Sequence, residues 1–245
     1  MTSAPSTPTL PWRQRPFAEV LRLTWPIAIQ LVSFSAMTAV DTLFVGHLGP
    51  TALAGVALGS AATFTLVCFG FGLLRSTNIT IAQAVGAGHE QRVLALTGAG
   101  LTVAVGLGLA TSVLGQLLAT YLPLLTSSVE SGQHATAYAR VRVLGAPLQL
   151  ATLALAGARY GVRDARSPMI ATLIANAANV LLVAFFSLVL NAGVTGVAAA
   201  TVLSGFAEVF VLGHRQRKLG LGLRAWTSAD LRLLIEVVAR ACKTI

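Results

Sequence analysis

Three ionisable side chains stand inside long apolar stretches of this chain: Asp41, Arg75 and Glu208. A charge in such a setting is costly, so it usually turns inward, finds a partner or carries an ion. Asp41 precedes the Gly46-His47-Leu48-Gly49-Pro50 loop by four or five residues, roughly 7 Å at the helical rise per residue. It reads either as an interfacial carboxylate touching water or as one facing a cavity. In a cavity it could exchange a proton or Na⁺, since either ion neutralises its charge. Arg75 marks a helix break, snorkels to the surface or lines a cavity. Glu208 sits a turn and a half before His214 and either reaches the near surface or serves a cavity. The neutral candidates are Gln30, Asn176 and Asn179 (i, i+3 on one face) and Thr201, seven residues before Glu208. Buried amides often do no more than join helices. Arg140 and Arg142 cap an external vestibule or lie among headgroups.

Other chemistries fare poorly. His47, His89, His134 and His214 are scattered, and no HExxH, CxxC or nucleophile elbow occurs. Cys68 and Cys242 stand far apart in unlike settings, which makes neither a disulfide framework nor a metal site. No cofactor is expected.

The elements that must hold these residues are helices. Of 245 residues 55% are hydrophobic and 10% charged, against about 25% charged in soluble domains. The apolar residues fall in blocks long enough to cross a bilayer, where unpaired backbone amides make helices the default. Six spans are expected, near 20–45, 51–85, 93–118, 135–160, 168–190 and 194–212, with Pro26 bending the first and Arg140 and Arg142 starting the fourth. Gly98, Gly100, Gly106 and Gly108 suit close helix contact. The expected organisation is a disordered cytoplasmic tail (1–19), a six-helix transmembrane lobe (20–218) and a cytoplasmic linker (219–245). Leu231, Leu234, Ile235 and Val238 give that linker an amphipathic helix on the membrane surface. The fold class is an all-α integral membrane bundle, with the lipid bilayer as its first partner.

Seventeen Lys and Arg against eight Asp and Glu give a formal charge of +9. They form no basic stripe interleaved with aromatics, so nucleic acid is not the expected partner. They alternate with the spans instead. One side receives Arg13, Arg15 and Arg22, then Arg92, then Arg159, Arg163 and Arg166, then Arg215, Arg217, Lys218 and Arg224. The loops near 46–50, 120–134 and 191–193 have none. That asymmetry places both termini in the cytoplasm and the chain in the cytoplasmic membrane.

Several segments then resemble one family. Trp25-Pro26-Ile27 and Val40-Asp41-Thr42-Leu43-Phe44-Val45-Gly46-His47-Leu48-Gly49 are similar to the first helix and loop of multidrug and toxic compound extrusion (MATE) transporters. Ala82-Gln83-Ala84-Val85-Gly86-Ala87-Gly88 is similar to the end of their second helix. Gly161-Val162-Arg163-Asp164-Ala165-Arg166-Ser167-Pro168 resembles their fourth-to-fifth loop, and Gly193-Val194-Thr195-Gly196-Val197-Ala198-Ala199-Ala200-Thr201 the entry to their sixth helix. Leu74-Arg75-Ser76-Thr77 looks like the DNA-damage-inducible F branch. The resemblance implies one lobe of a twelve-helix exporter that exchanges H⁺ or Na⁺ for drugs and organic cations by alternating access. It implies that Asp41, Asn179 and Thr201 are the cation-coupling residues. Many members carry an Asp four residues after that asparagine, where this chain has Val183, and the loss leans the coupling ion towards H⁺. Arg75, Gln30, Asn176 and Glu208 are the expected cavity or substrate residues. The chain ends where a seventh helix is expected, which suggests a half-length or truncated form, a homodimer or a separately encoded second half. Two rival expectations are a lipid or oligosaccharide-lipid flippase of related fold and a non-transporting remnant or assembly partner.

Overall fold

The computed structural model describes residues 16–218; of the tail expected over 1–19 all but the last four residues lie outside them, as does the linker with an amphipathic helix expected over 219–245. The described residues are helical throughout apart from short connections: α1 (Pro16–Gly46), α2 (Pro50–Gly86), α3 (Glu90–Ala119), a 3₁₀ turn (Leu122–Leu125), α4 (Val129–Val143), α5 (Ala146–Gly161), α6 (Arg166–Ala184) with a π turn (Phe185–Val189), and α7 (Gly193–Lys218). Five helices are long and apolar enough to cross a membrane, and α4 with α5 forms a sixth, bent span.

The first helix begins at Pro16, earlier than the expected boundary at residue 20, and continues through Pro26. The second runs unbroken past Arg75. The fourth span departs most from expectation. It begins at Val129, capped by the Ser128 side chain accepting from the Ser131 amide, and bends by 47° between Val143 and Ala146. Pro147 sits in the first turn of α5. A proline has no N–H and crowds the carbonyl four residues back, so the helix restarts there. Arg140 and Arg142 therefore close α4 instead of opening the span.

Packing sets α2 against α3, α4 and α5, and α7 against α6, α4 and α5, while α1 leans chiefly on α6. Small residues permit the closest approaches. A Cβ on Gly59 of α2 would stand 2.9 Å from the Ala135 carbonyl of α4, and one on Gly108 of α3 would overlap the Pro147 backbone. Gly100 meets Thr77, but Gly106 faces open space, so Gly100 and Gly108 make close helix contacts and Gly106 does not. The outer surface carries apolar side chains such as Leu31, Val32, Val113 and Leu181, as a bilayer or a second lobe requires.

Candidate functional site

Two adjoining cavities lie between α1 and the rest of the bundle. The larger, about 660 Å³, holds Asp41 with Thr42 of α1, Ser60 of α2 and Tyr138 of α4 on its wall. The smaller, about 290 Å³, is lined by Gln30, Thr172, Asn176 and Glu208. Phe34, Met37, Arg142, Gln149 and Thr201 line both.

Asp41 is half-buried, and its Oδ1 is buried without a hydrogen-bond partner among the described residues. A buried acceptor left open is costly and needs a cation, a proton or water to satisfy it. The Arg142 guanidinium acts electrostatically on Asp41 across the shared wall. Asn179 of α6 is completely buried. Its Nδ2 donates to Thr201 Oγ1 at 3.4 Å, and its Oδ1 also lacks a partner. The structure thus places Thr201 on the Asp41 cavity with Asn179 behind it. Val183, one turn beyond Asn179, is fully buried in an apolar cluster with Val45 and Val197. Among the described residues, Asp41 is the only carboxylate on the larger cavity.

The smaller cavity has an ordered polar wall. Tyr160 Oη donates to Gln30 Oε1 at 2.7 Å, Gln30 Nε2 to Thr172 Oγ1 at 2.8 Å, and Thr172 Oγ1 to Glu208 Oε1 at 2.6 Å. Asn176 Nδ2 donates to Ser33 Oγ at 2.6 Å. Gln30, Asn176 and Glu208 therefore reach a common cavity, and Gln30 and Asn176 also tie α1 to α6. Glu208 is held by Thr172 instead of extending to the surface.

Arg75 lines neither cavity. It lies on the exposed side of α2, because Leu74, Thr77 and Ile81 form the buried stripe of that helix and the intervening position points away. Thr172 and Gln149, which line the smaller cavity, and Tyr160, which bonds to Gln30, are not named by the sequence reading. Arg142, expected to cap an external vestibule or to lie among headgroups, lines both cavities. The other three are neutral side chains in apolar runs, where no local signal separates a cavity wall from a helix contact.

A second polar cluster closes the end of α5, the loop after it and α7. Arg159 Nη1 contacts Asp164 Oδ2 at 3.1 Å. The Ser167 amide donates to Asp164 Oδ1 at 3.0 Å, and Ser167 Oγ to Oδ2 at 2.6 Å. Arg215 Nη1 donates to Ser167 Oγ at 3.2 Å. Burial opposes the Asp164 charge, but the Ser167 bonds and Arg159 outweigh it and hold this carboxyl below its ordinary range. Among the described residues, no group of three or more His, Cys, Asp or Glu could hold a metal ion.

An all-helical bundle whose helices are long and apolar enough to cross a membrane, with polar cavities between them, defines a class, the multi-pass membrane proteins. The MatE family model matches residues 26–185, and the chain belongs to that family. It is 32% identical to DNA damage-inducible protein F of Escherichia coli over 194 residues, covering 76% of this chain and 42% of that protein. It is 32% identical to Protein DETOXIFICATION 44, chloroplastic, of Arabidopsis thaliana over 208 residues, covering 79% and 40%. The fold matches a structure described as the outward-facing conformation of a multidrug resistance MATE family transporter, with a TM-score of 0.82, 22% identity and coverage of 92% of this chain and 52% of that one. The chain thus corresponds to one lobe, spanning about half the length of the relatives it matches.

Proposed function

We propose that this chain forms the cation-coupling lobe of an antiporter that exports drugs and organic cations, with Asp41 as its proton-binding group. The observation that carries this reading is the orphaned Asp41 Oδ1 on a large, mostly apolar cavity. A proton satisfies a lone carboxylate outright, whereas Na⁺ needs several oxygen donors. Val183 supplies none, and Arg142 adds a positive charge that a metal ion would have to oppose. Thr201 lines that cavity and Asn179 bonds to it from behind. Protonation then biases the lobe between outward- and inward-facing states. The basic segments support cytoplasmic termini in the inner membrane. The length of the relatives supports work beside a second six-helix lobe, from a separate chain or a second copy.

The test is ethidium efflux from an exporter-deficient bacterium that expresses this chain, under a pH gradient and a Na⁺ gradient imposed separately. Efflux that follows the pH gradient and disappears in Asp41→Asn is expected. Undiminished efflux by that variant refutes the role of Asp41. No efflux from a chain shown to be in the membrane assigns transport to an assembly with a second lobe.

A further inference from the structure

The hydrogen bonds behind Glu208 all run one way. Tyr160, Gln30, Thr172 and Glu208 come from α5, α1, α6 and α7, so four helices meet on one carboxylate. The Gln30 amide fixes the direction, because its Nε2 only donates and its Oε1 only accepts. Such a chain ends properly on an acceptor, and a charged carboxylate is the strongest available. Glu208 also faces the 290 Å³ cavity that shares Thr201, Gln149 and Arg142 with the Asp41 cavity. The described lobe therefore carries a carboxylate on each of two adjoining cavities.

We propose that Glu208 is a second proton-binding site of this lobe, and that its charge is passed to α1 through Thr172 and Gln30. The proton comes from water and goes onto a Glu208 carboxylate oxygen, giving a neutral acid. No other bond is made or broken. The neutral acid accepts more weakly from Thr172 than the anion does, so the Gln30 tie that docks α1 on α6 loosens. A proton fits better than Na⁺, because Thr172 Oγ1 and Gln30 Oε1 already accept bonds within the chain. Among the described residues, the other charged or titratable groups around Glu208 are Tyr160 on α5, Arg142 on α4, Asp41 on α1 in the adjoining cavity, and His214 and Arg215 further along α7. The residues of α6 on this cavity are neutral.

Trp25 offers the readout, since it lies on α1 with the Arg166 guanidinium of α6 5.9 Å from its ring centroid. The other two tryptophans, Trp12 and Trp226, can be replaced by Phe in the full chain, held in phospholipid nanodiscs. Trp25 emission is then followed from acid to alkaline pH. A titration is expected that is lost in Glu208→Gln, lost in Gln30→Leu, displaced in Glu208→Asp and retained in Asp41→Asn and His214→Ala. Glu208→Gln keeps an acceptor for Thr172, and Glu208→Asp keeps the acid, so one or the other remains informative if folding suffers. Emission that is flat in the unsubstituted background, or that titrates unchanged in Glu208→Gln, overturns the inference. Loss of the titration in Asp41→Asn alone overturns it too, and leaves the role proposed for Asp41 standing. Retention of the Glu208 titration beside normal efflux by Asp41→Asn refutes only the latter role.

Discussion

Asp41 and Asp164 are both partly buried carboxylates beside an arginine, yet their surroundings differ in kind. Asp164 receives the Ser167 amide, the Ser167 hydroxyl and Arg159 on its two oxygens. Asp41 has Arg142 within electrostatic reach, but its Oδ1 has no partner and opens no bond to Asn179 or Thr201. A saturated carboxylate has one comfortable state, charged, and acts as a clamp. An unsaturated one beside a cavity can change state at small structural cost, which is what exchange requires. The contrast separates structural from functional acids better than depth in the membrane does.

The largest effect expected from this contrast is at Asp41. Asp41→Asn should abolish coupled efflux while leaving the thermal unfolding midpoint in detergent nearly unchanged, because no hydrogen bond to Oδ1 is lost. Asp164→Ala should do the reverse. It removes the partner of Arg159, which is only 3% exposed, and the bonds from Ser167. The chain should be destabilised by about 2 kcal/mol, visible as a lower unfolding midpoint, with any transport of the folded fraction kept. A stable Asp164→Ala protein would erase the distinction.

Arg142→Gln should have an intermediate effect. With the competing guanidinium gone, Na⁺ should begin to drive or inhibit efflux where it did neither before, a change read by repeating the assay over a series of Na⁺ concentrations. The effect of pH on Asp164 sharpens the comparison further. Its carboxyl lies below its ordinary range when folded, so its stabilisation is complete above the unfolded value and lost as pH falls through the folded one. Unfolding midpoints of the unsubstituted chain and Asp164→Asn should differ at neutral pH and converge in acid. The smallest effect is at Ser33, whose hydroxyl accepts from Asn176. Ser33→Ala should cost about 1 kcal/mol without changing which gradient drives transport.

Much of this organisation was legible in the sequence, for stated reasons. Apolar block length marks five of the spans, and an acid among apolar residues marks Asp41 and Glu208. The fourth span is expected only from residue 135, because Glu130, Gln133 and His134 make its first turns look like a loop, although the helix begins at Val129 and packs against α2. Arg142 then reads as the start of the span, at a vestibule or among headgroups, whereas it stands in the last turn of α4 and lines both cavities. Arg75 failed for a different reason: rarity in an apolar run identifies a charge but not the direction in which it points. The relay from Tyr160 through Gln30 to Thr172 joins residues 130 and 142 positions apart, and no local pattern announces such a pairing.

The most direct test of the central claim is infrared difference spectroscopy of the full chain in nanodiscs as pH is lowered, with and without Na⁺. A protonated-carboxyl band that vanishes in Asp41→Asn and does not respond to Na⁺ is the predicted result. Spectra in which Asp41→Asn removes no carboxyl band, or in which Na⁺ suppresses the band that it removes, would contradict the assignment of Asp41 as a proton site.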